Sequence, residues 1–308
     1  MRDEATAFAP ASVGNVAVGF DILGFSVEAL GDRVTARRRA GSGLSISGIG
    51  GVVAELPLDP AANTAGRAVE AFLEEARPPF AVELEIEKGI PLGSGLGGSA
   101  ASAVAGVVAA NALLEKPFER LDLLKFAMQG EKVSSGSLHV DNIAASLFGG
   151  LVLTVGIDQP RVKKIPAPHG VRAVIAHPHL MLGTKEARAI LRRNVTLSDF
   201  VWQTANLAGF ISGCYTDDID MIRASFEDVV IEPQRMSLIP SFESVRAAAM
   251  GEGALGCSIS GAGPSIFAWA LEKDAARVLK AMQATLAAAA IPSDGFSVEI
   301  ESPGARLV

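Results

Sequence analysis

The sequence has 308 residues, of which 49% are hydrophobic and 20% are charged, so the chain can bury a sizeable core and is not disordered. At about 150 residues per domain, this length predicts two domains. The net charge of −7 and the lack of a long run of lysine and arginine argue against a general nucleic-acid binder.

The cysteines and the apolar segments predict a soluble, cytoplasmic protein. Cys214 and Cys257 lie far apart and match no metal-binding spacing, as expected of two reduced thiols in a cytosolic protein. The first ten residues carry acidic side chains and lack the apolar region of a signal peptide. The longest apolar stretch, 100–114, is interrupted by Ser102 and Asn111 and is too short to span a bilayer. We therefore expect no membrane partner.

Apolar periodicity and turn residues predict a mixed order of helices and strands. The clearest strand is 80–88, "FAVELEIEK", where apolar side chains alternate with glutamates. Helices are predicted at 63–76, 98–114, 119–131, 184–193, 198–214, 217–228, 241–250 and 273–287, other strands at 149–155, 171–176 and 296–302, and a strand, glycine turn and strand over 254–270. The order contains no repeated βαβ unit, which favours an α+β protein over a doubly wound sheet. The segment 158–170, rich in proline and charge, is the predicted domain junction.

A glycine-rich loop stands between the strand at 80–88 and the next helix, with four glycines in the six positions 93–98. The N–H groups of such a loop, together with the positive end of the following helix, hold an anion, commonly phosphate. A tight structural turn is the alternative. The loop lacks the Gly-Lys-Ser/Thr of the common nucleotide-binding loop. It matches the dinucleotide spacing only formally, because no repeated βαβ unit follows.

Three segments carry a resemblance to a known family. "PLGSGLGGSAAS" (91–102) resembles the central phosphate-binding motif of the GHMP kinases, small-molecule kinases that include galactokinase, homoserine kinase, mevalonate kinase and phosphomevalonate kinase. "APASVGNVAVGFDILGFSVEALGD" (9–32) resembles the first motif of the homoserine kinases, and "SISGAGPSIFA" (258–268) resembles the third, glycine-rich motif of the superfamily. The motifs run in the family's order through nearly the whole chain.

The resemblance implies a two-domain α+β GHMP kinase fold with the active site in the cleft between the domains. It implies an ATP-binding domain over 1–160 and a ferredoxin-like α+β domain over 161–308. It further implies ATP and Mg²⁺, and transfer of a phosphoryl group to L-homoserine on the route to threonine. A homodimer is possible.

On the nucleotide side, the resemblance implies ATP contacts from the glycine-rich loop and its neighbours. They are Lys88, Pro91, Gly93, Ser94, Gly95, Leu96, Gly97, Gly98 and Ser99, with Asn63 on the adenine side. Ser99 and Glu131 are the implied Mg²⁺ partners, since this hard cation takes oxygen ligands. The alternative roles are a helix N-cap for Ser99 and a solvated charge at a helix end for Glu131.

On the substrate side, the resemblance implies a set of six residues. They are Asn15, Asp21, His139, Asp141, Arg188 and Arg235. Acidic and amide groups suit the ammonium and hydroxyl of homoserine, and the planar fork of arginine suits its carboxylate. Asp21 and Asp141 are the candidate proton acceptors, although positioning and proton transfer to phosphate are an alternative.

Two other functions stay open at the level of sequence. One is another small-alcohol kinase of the same superfamily, of the shikimate or mevalonate type. Arg188 and Arg235 fit any acid substrate, whereas His139 and Asp141 fit an amino acid better than a plain hydroxy acid. The second is a non-catalytic ligand sensor on the same fold, but a sensor would not need a metal partner such as Glu131.

Overall fold

The structure is a computed structural model that describes residues 2–53, 55–134, 140–156 and 159–308, with only the backbone of 132–134. The strands are β1 (Glu4–Gly14), β2 (Leu23–Arg39), β3 (Leu44–Gly51), β4 (Ala81–Lys88), β5 (Leu151–Val155), β6 (Arg161–Ile165), β7 (Val171–Pro178), β8 (Ala254–Ile259), β9 (Ile266–Leu271), β10 (Ser293–Glu299) and β11 (Arg306–Leu307). The helices are α1 (Thr64–Ala76), α2 (Gly98–Asn111), α3 (Arg120–Ser134), α4 (Val140–Phe148), α5 (Thr184–Ala189), α6 (Leu197–Thr216), α7 (Ile219–Ala224), α8 (Glu232–Arg235), α9 (Phe242–Gly251) and α10 (Glu272–Ala288), with short 3₁₀ helices at Pro60–Ala62 and Met236–Leu238.

The first layer is a seven-stranded sheet with the order β11-β1-β2-β4-β3, to which β5 adds by pairing with β2, and β6 by pairing with β5. Helices α2 and α4 pack on β1 and β2, and α1 and α3 pack on α2. Alanine, glycine and valine make up most of α2, and nearly all of its residues are buried. Because its side chains are small, α2 packs closely against both the sheet and the other helices.

The second layer is a four-stranded antiparallel sheet with the order β10-β7-β9-β8. Numbered along the chain, its strands stand in the spatial order fourth, first, third, second, and helices connect the first to the second and the third to the fourth. This is the βαββαβ arrangement of ferredoxin-like sheets. The two mixed layers confirm the predicted α+β fold class.

The sheet topology differs from the predicted division of the chain at residues 160 and 161. β6 lies inside the predicted junction and pairs with β5 along its whole length. The last strand returns to the first sheet, where Leu307 pairs with Ala7. β6 is a mostly exposed edge strand that carries lysines, so its composition resembles that of a linker.

An aromatic cluster joins the two layers. The ring of Phe25 on β2 lies 5.6 Å from Phe267 and 6.0 Å from Trp269, both on β9. Phe210 on α6 lies 5.1 Å from Trp269. These buried rings give the two layers a shared core and fix the position of the cleft between them. Within the described residues, no helix has the length and apolar character needed to cross a membrane.

Candidate active site

A cavity of about 540 Å³ opens between the two layers. Its lining from the first layer is Asn15, Asp21, Pro91, Leu92, Gly93, Ser94, Gly95, Gly97, Gly98, Ser99, Ala100, Glu131, Asp141 and Asn142, and from the second layer Met181, Leu182, Gly183, Thr184, Glu186, Arg188, Arg235, Gly261 and Ala262. Most of the residues that the sequence assigned to ATP and substrate therefore meet in one cleft.

The glycine-rich loop has a backbone that requires glycine. Gly93, Gly95 and Gly97 all have positive φ, which side chains disfavour. A Cβ atom at Gly95 would lie 2.6 Å from the carbonyl oxygens of Ser260 and Gly263, so the third motif packs directly against the loop. The hydroxyl of Ser260 also donates to the Gly95 carbonyl at 2.7 Å. The two glycine-rich motifs thus hold each other in place.

The N-terminus of α2 faces the cavity. Gly97 is its N-cap residue in the left-handed conformation, and within the described residues no side chain caps this helix end. Gly98, Ser99 and Ala100 of its first turn line the cavity. Because Gly97 is the N-cap residue, Ser99 does not have the alternative role of helix N-cap. An uncapped helix start beside a glycine cradle is a site for phosphate.

Lys88 lies beneath the loop and does not line the cavity. Its side chain is 3% exposed, and its ammonium forms an ion pair with Asp32, whose side chain is fully buried. It also donates to the Gly98 carbonyl at 2.9 Å and the Ser102 hydroxyl at 2.8 Å. Asp32 accepts further from the backbone N–H of Gly89 at 2.9 Å. Lys88 therefore supports the start of α2 from below and is not placed for the predicted phosphate contact.

Two other residues predicted on the ATP side also lie outside the cavity lining. Asn63 is the N-cap of α1, and its side chain accepts from the N–H groups of Ala65 and Gly66 at 3.0 and 3.2 Å. Its amide donates to the Pro57 carbonyl, so helix capping occupies this side chain. Leu96 is fully buried and packs in the core below the loop.

Glu131 brings a carboxylate into the cavity from α3. It is 5% exposed, which excludes the solvated helix-end role considered from sequence. Ser99 lines the same cavity from α2. Among the described residues, no three histidine, cysteine or acidic side chains form a metal cluster. One carboxylate and one hydroxyl beside a phosphate cradle suit Mg²⁺, which keeps water and phosphate oxygens as its other ligands.

Asp141 and Asn142 form the polar floor of the cavity at the start of α4. Asp141 is 2% exposed and accepts from the backbone N–H of Asn15 at 3.1 Å and the Asn142 amide at 3.3 Å. The side-chain amide oxygen of Asn142 accepts from the Ser12 hydroxyl at 3.0 Å. Sequence reasoning missed Asn142, although its position next to Asp141 is a signal for it. The predicted His139 lies outside the described residues.

The first motif forms a strained turn at the edge of the cavity. Asn15, Val16, Ala17 and Asp21 all have positive φ, which is rare for residues other than glycine. The Asn15 side chain accepts from the Asp21 N–H at 3.1 Å and donates to the Gly261 carbonyl at 2.9 Å. Asn15 therefore ties the first motif to the third, and the cluster of unfavourable backbone angles is typical of a functional site.

The two predicted arginines come together in the wall of the cavity. Arg188 on α5 approaches both carboxylate oxygens of Asp21 at 2.7 Å. Arg235 on α8 is 3% exposed and donates to the carbonyl of Gly261 at 3.0 Å. Each guanidinium carbon lies 5.3 Å from the centre of the Phe20 ring. Burial is the main cause that lowers the pKa of Arg235, and the positive charge of Arg188 is the second. Because both causes disfavour the charged guanidinium, a bound carboxylate would be favourable here.

Two family models match the chain: the GHMP kinases N terminal domain over residues 63–150 and the GHMP kinases C terminal domain over 210–288. The homoserine kinase of Xylella fastidiosa (strain M12) is 45% identical over 99% of this chain and 94% of its own length. The homoserine kinase of Xanthomonas campestris pv. campestris (strain B100) is 46% identical with the same coverage.

A solved structure of a homoserine kinase from Cytophaga hutchinsonii superposes with a TM-score of 0.96 and 43% identity, covering 100% of this chain and 98% of that one. The curated relatives and the solved structure match this chain along nearly its whole length. The protein belongs to the GHMP kinase family, in its homoserine kinase branch.

Proposed function

We propose that this protein transfers the γ-phosphoryl group of ATP to the hydroxyl of L-homoserine, giving ADP and O-phospho-L-homoserine on the route to threonine. The observation that carries this proposal is the pair Arg188 and Arg235, which shares one cavity with a glycine cradle for phosphate. The names of the relatives at 45% and 46% identity support the same substrate.

The ATP phosphates would lie along the glycine-rich loop, with the N–H groups at the start of α2 as donors. Ser99 and Glu131 would hold Mg²⁺, which neutralises charge on the phosphates during transfer. Lys88 acts indirectly, because it keeps the Gly98 carbonyl turned inward beneath the loop. Phosphoryl transfer depends mainly on such alignment and charge neutralisation.

Homoserine would bind between the arginines and the floor of the cavity. Arg188 and Arg235 would receive its carboxylate, and Asp21 its ammonium. The reacting hydroxyl would then face Asp141 and Asn142. We assign its proton to Asp141, because Arg188 contacts both oxygens of Asp21. The hydroxyl oxygen forms the new bond to γ-phosphorus, and the bond to the ADP oxygen breaks.

Release of ADP with a panel of alcohols tests this proposal. The panel is L-homoserine, L-serine, shikimate and mevalonate, each with ATP and Mg²⁺. Homoserine should give the highest kcat/KM, because it alone combines a carboxylate, an ammonium and a hydroxyl at the required separation. Equal or faster turnover of shikimate or mevalonate would assign the protein to another branch of the superfamily. The cytoplasmic location and the homodimer stay predictions.

A further inference from the structure

Phe20 belongs to the first motif, but it does not line the cavity and has no role in the function proposed above. Its ring is half-buried. The guanidinium carbons of Arg188 and Arg235 each lie over this ring, 5.3 Å from its centre. An aromatic ring attracts a cation within about 6 Å of its centre, because the face of the ring is electron-rich. Phe20 thus contacts both arginines that we assign to the substrate carboxylate.

The two arginines carry like charges that repel each other when no carboxylate lies between them. Arg188 contacts both carboxylate oxygens of Asp21 at 2.7 Å, and Arg235 donates to two backbone carbonyls at 3.1 and 3.0 Å. Each of these contacts uses N–H donors, which a bound carboxylate also needs. The face of a ring uses no N–H donor. Phe20 can therefore stabilise both charges without competing with the substrate for the same groups.

The backbone of the first motif directs Phe20 and its neighbour Asp21 to the same arginine. In an extended strand, successive side chains point to opposite faces. Here Asp21 has a φ of 61°, and both its carboxylate and the preceding ring contact Arg188. Asn15 holds this turn, because its side chain accepts from the Asp21 N–H at 3.1 Å and its carbonyl accepts from the Gly19 N–H at 2.8 Å. The turn therefore fixes the ring next to the carboxylate that pairs with Arg188.

We propose that Phe20 is a positioning residue that sets the preference of this site for substrates carrying a carboxylate. Its ring holds the guanidinium groups of Arg188 and Arg235 side by side through the attraction between a cation and an aromatic face. This inference rests on the proposed function, because it concerns the carboxylate of homoserine. Phe20 acts through the two arginines and not by contact with the substrate.

A second ring in the described part of the chain offers a matched control. Arg33 and Arg306 lie over the ring of Phe8, 5.5 and 4.8 Å from its centre. Each of these arginines also pairs with a glutamate, Arg33 with Glu87 and Arg306 with Glu28. Neither Phe8 nor its two arginines line the cavity. A change to the Phe8 ring therefore alters the same kind of contact away from the candidate site.

Fluorinated phenylalanines at position 20 test the proposal with little change in shape. Each added fluorine withdraws electrons from the ring face and weakens its attraction for a cation. Along a series with one, two and three ring fluorines, KM for L-homoserine should rise stepwise, by about 5- to 30-fold in total. Both kcat and KM for ATP should stay within about twofold, because the arginines bind the carboxylate alike in the ground and transition states.

The same series at position 8 should leave all three constants unchanged. A KM for homoserine that does not follow the number of fluorines at position 20 would overturn the proposal, since a ring that acts by shape alone is insensitive to them.

Phe20→Leu and Phe20→Tyr give the second test, with homoserine and with the amino alcohol that differs from it only in lacking the carboxylate. Phe20→Tyr keeps the aromatic face and should resemble the wild type. Phe20→Leu should lose about 5- to 30-fold in kcat/KM for homoserine and little for the amino alcohol. An equal loss for both substrates, or no loss while the wild type phosphorylates homoserine, would refute the role of Phe20 alone. A wild type that does not phosphorylate homoserine would refute the proposed function, and this inference with it.

Discussion

At the scale of single residues, the two arginines of the site are held differently. Arg188 is one-third exposed and pairs with Asp21, whereas Arg235 is buried and donates to the carbonyls of Ala187 and Gly261. Arg188 is therefore tied to a side chain that substrate binding can rearrange. Arg235 is part of the local structure as well as of the cavity wall.

Replacing either arginine with alanine should raise KM for homoserine by about 10- to 10³-fold, from ~1.5–4 kcal/mol per lost charge-assisted contact. KM for ATP should change little in both variants, as steady-state kinetics will measure. In urea unfolding, Arg235→Ala should also lower the free energy of unfolding by about 1–3 kcal/mol, because the buried Ala187 carbonyl loses its guanidinium donor. The exposed Arg192→Ala is the control for loss of positive charge. Unchanged KM in both variants would remove these arginines from the substrate site.

Replacing Glu131 with glutamine tests the proposed metal partner. The amide is close in size to the carboxylate, so the fold should persist. Turnover should fall by about 10²-fold or more, on the scale of losing one preorganised electrostatic group. The measurement is kcat as a function of Mg²⁺ concentration, with Glu186→Gln at the edge of the same cavity as control. Wild-type turnover of Glu131→Gln at ordinary Mg²⁺ would exclude Glu131 from the site.

At the scale of elements, α8 depends on a buried acidic turn. Asp228 accepts from the backbone N–H groups of Val230, Ile231 and Glu232 at 2.9–3.0 Å. Glu232 contacts Arg246 at 2.7 Å and also accepts from the Ser258 hydroxyl. Burial raises the pKa of Glu232 to about 7. The helix that carries Arg235 thus begins at a carboxyl group that titrates near neutral pH.

The raised pKa of Glu232 predicts a pH-dependent stability. Between its unfolded and folded values, 4.5 and about 7, the folded protein holds a proton that the unfolded chain has lost. The contribution of protonated Glu232 to the free energy of unfolding is therefore fully present below about pH 4.5 and is lost as the pH rises through about 7. Glu232→Gln should match the wild type at about pH 4 and gain about 2–4 kcal/mol relative to it at about pH 8.5.

Urea unfolding at several pH values measures this difference directly. The exposed Glu243→Gln on α9 serves as control, because it removes one carboxylate without removing a buried one. Its stability should keep the pH dependence of the wild type. Parallel curves for Glu232→Gln and the wild type would show that Glu232 titrates alike in both states.

Several elements were predictable because their signals are local. Alternating side chains predicted β4, and the glycine loop with the small residues after it predicted α2. The predicted bounds of both elements agree with the structure to within a few residues. The long β1 was not identified, because it is buried on both faces along most of its length and shows no alternation. For β6, proline and lysine composition suggested a linker, and only its pairing with β5 makes it a strand.

The site was predictable mainly through motifs rather than through spacing. Motif resemblance brought together Asn15 and Arg188, which are far apart in sequence and meet in the cavity. Lys88 shows the limit of that reasoning. It stands next to the glycine loop in sequence, but its partner Asp32 is 56 positions away, and only the folded sheet places this carboxylate beneath the loop.

At the scale of the whole molecule, the cavity lies where two layers with a common core meet. The first layer supplies the phosphate cradle and the acidic floor, and the second supplies both arginines. The buried contacts of Phe25 with Phe267 and Trp269 hold these parts at a fixed separation. A phosphate donor and a small acid can therefore be aligned only when both layers are in place.

The proposed reaction transfers a phosphoryl group from ATP to the hydroxyl of homoserine. Phosphorus NMR of the protein with ATP, Mg²⁺ and L-homoserine observes this transfer directly. The predicted result is ADP together with an equal amount of a phosphomonoester whose phosphorus couples to methylene protons. ADP accompanied only by inorganic phosphate, or no ADP at all, would contradict the proposed reaction.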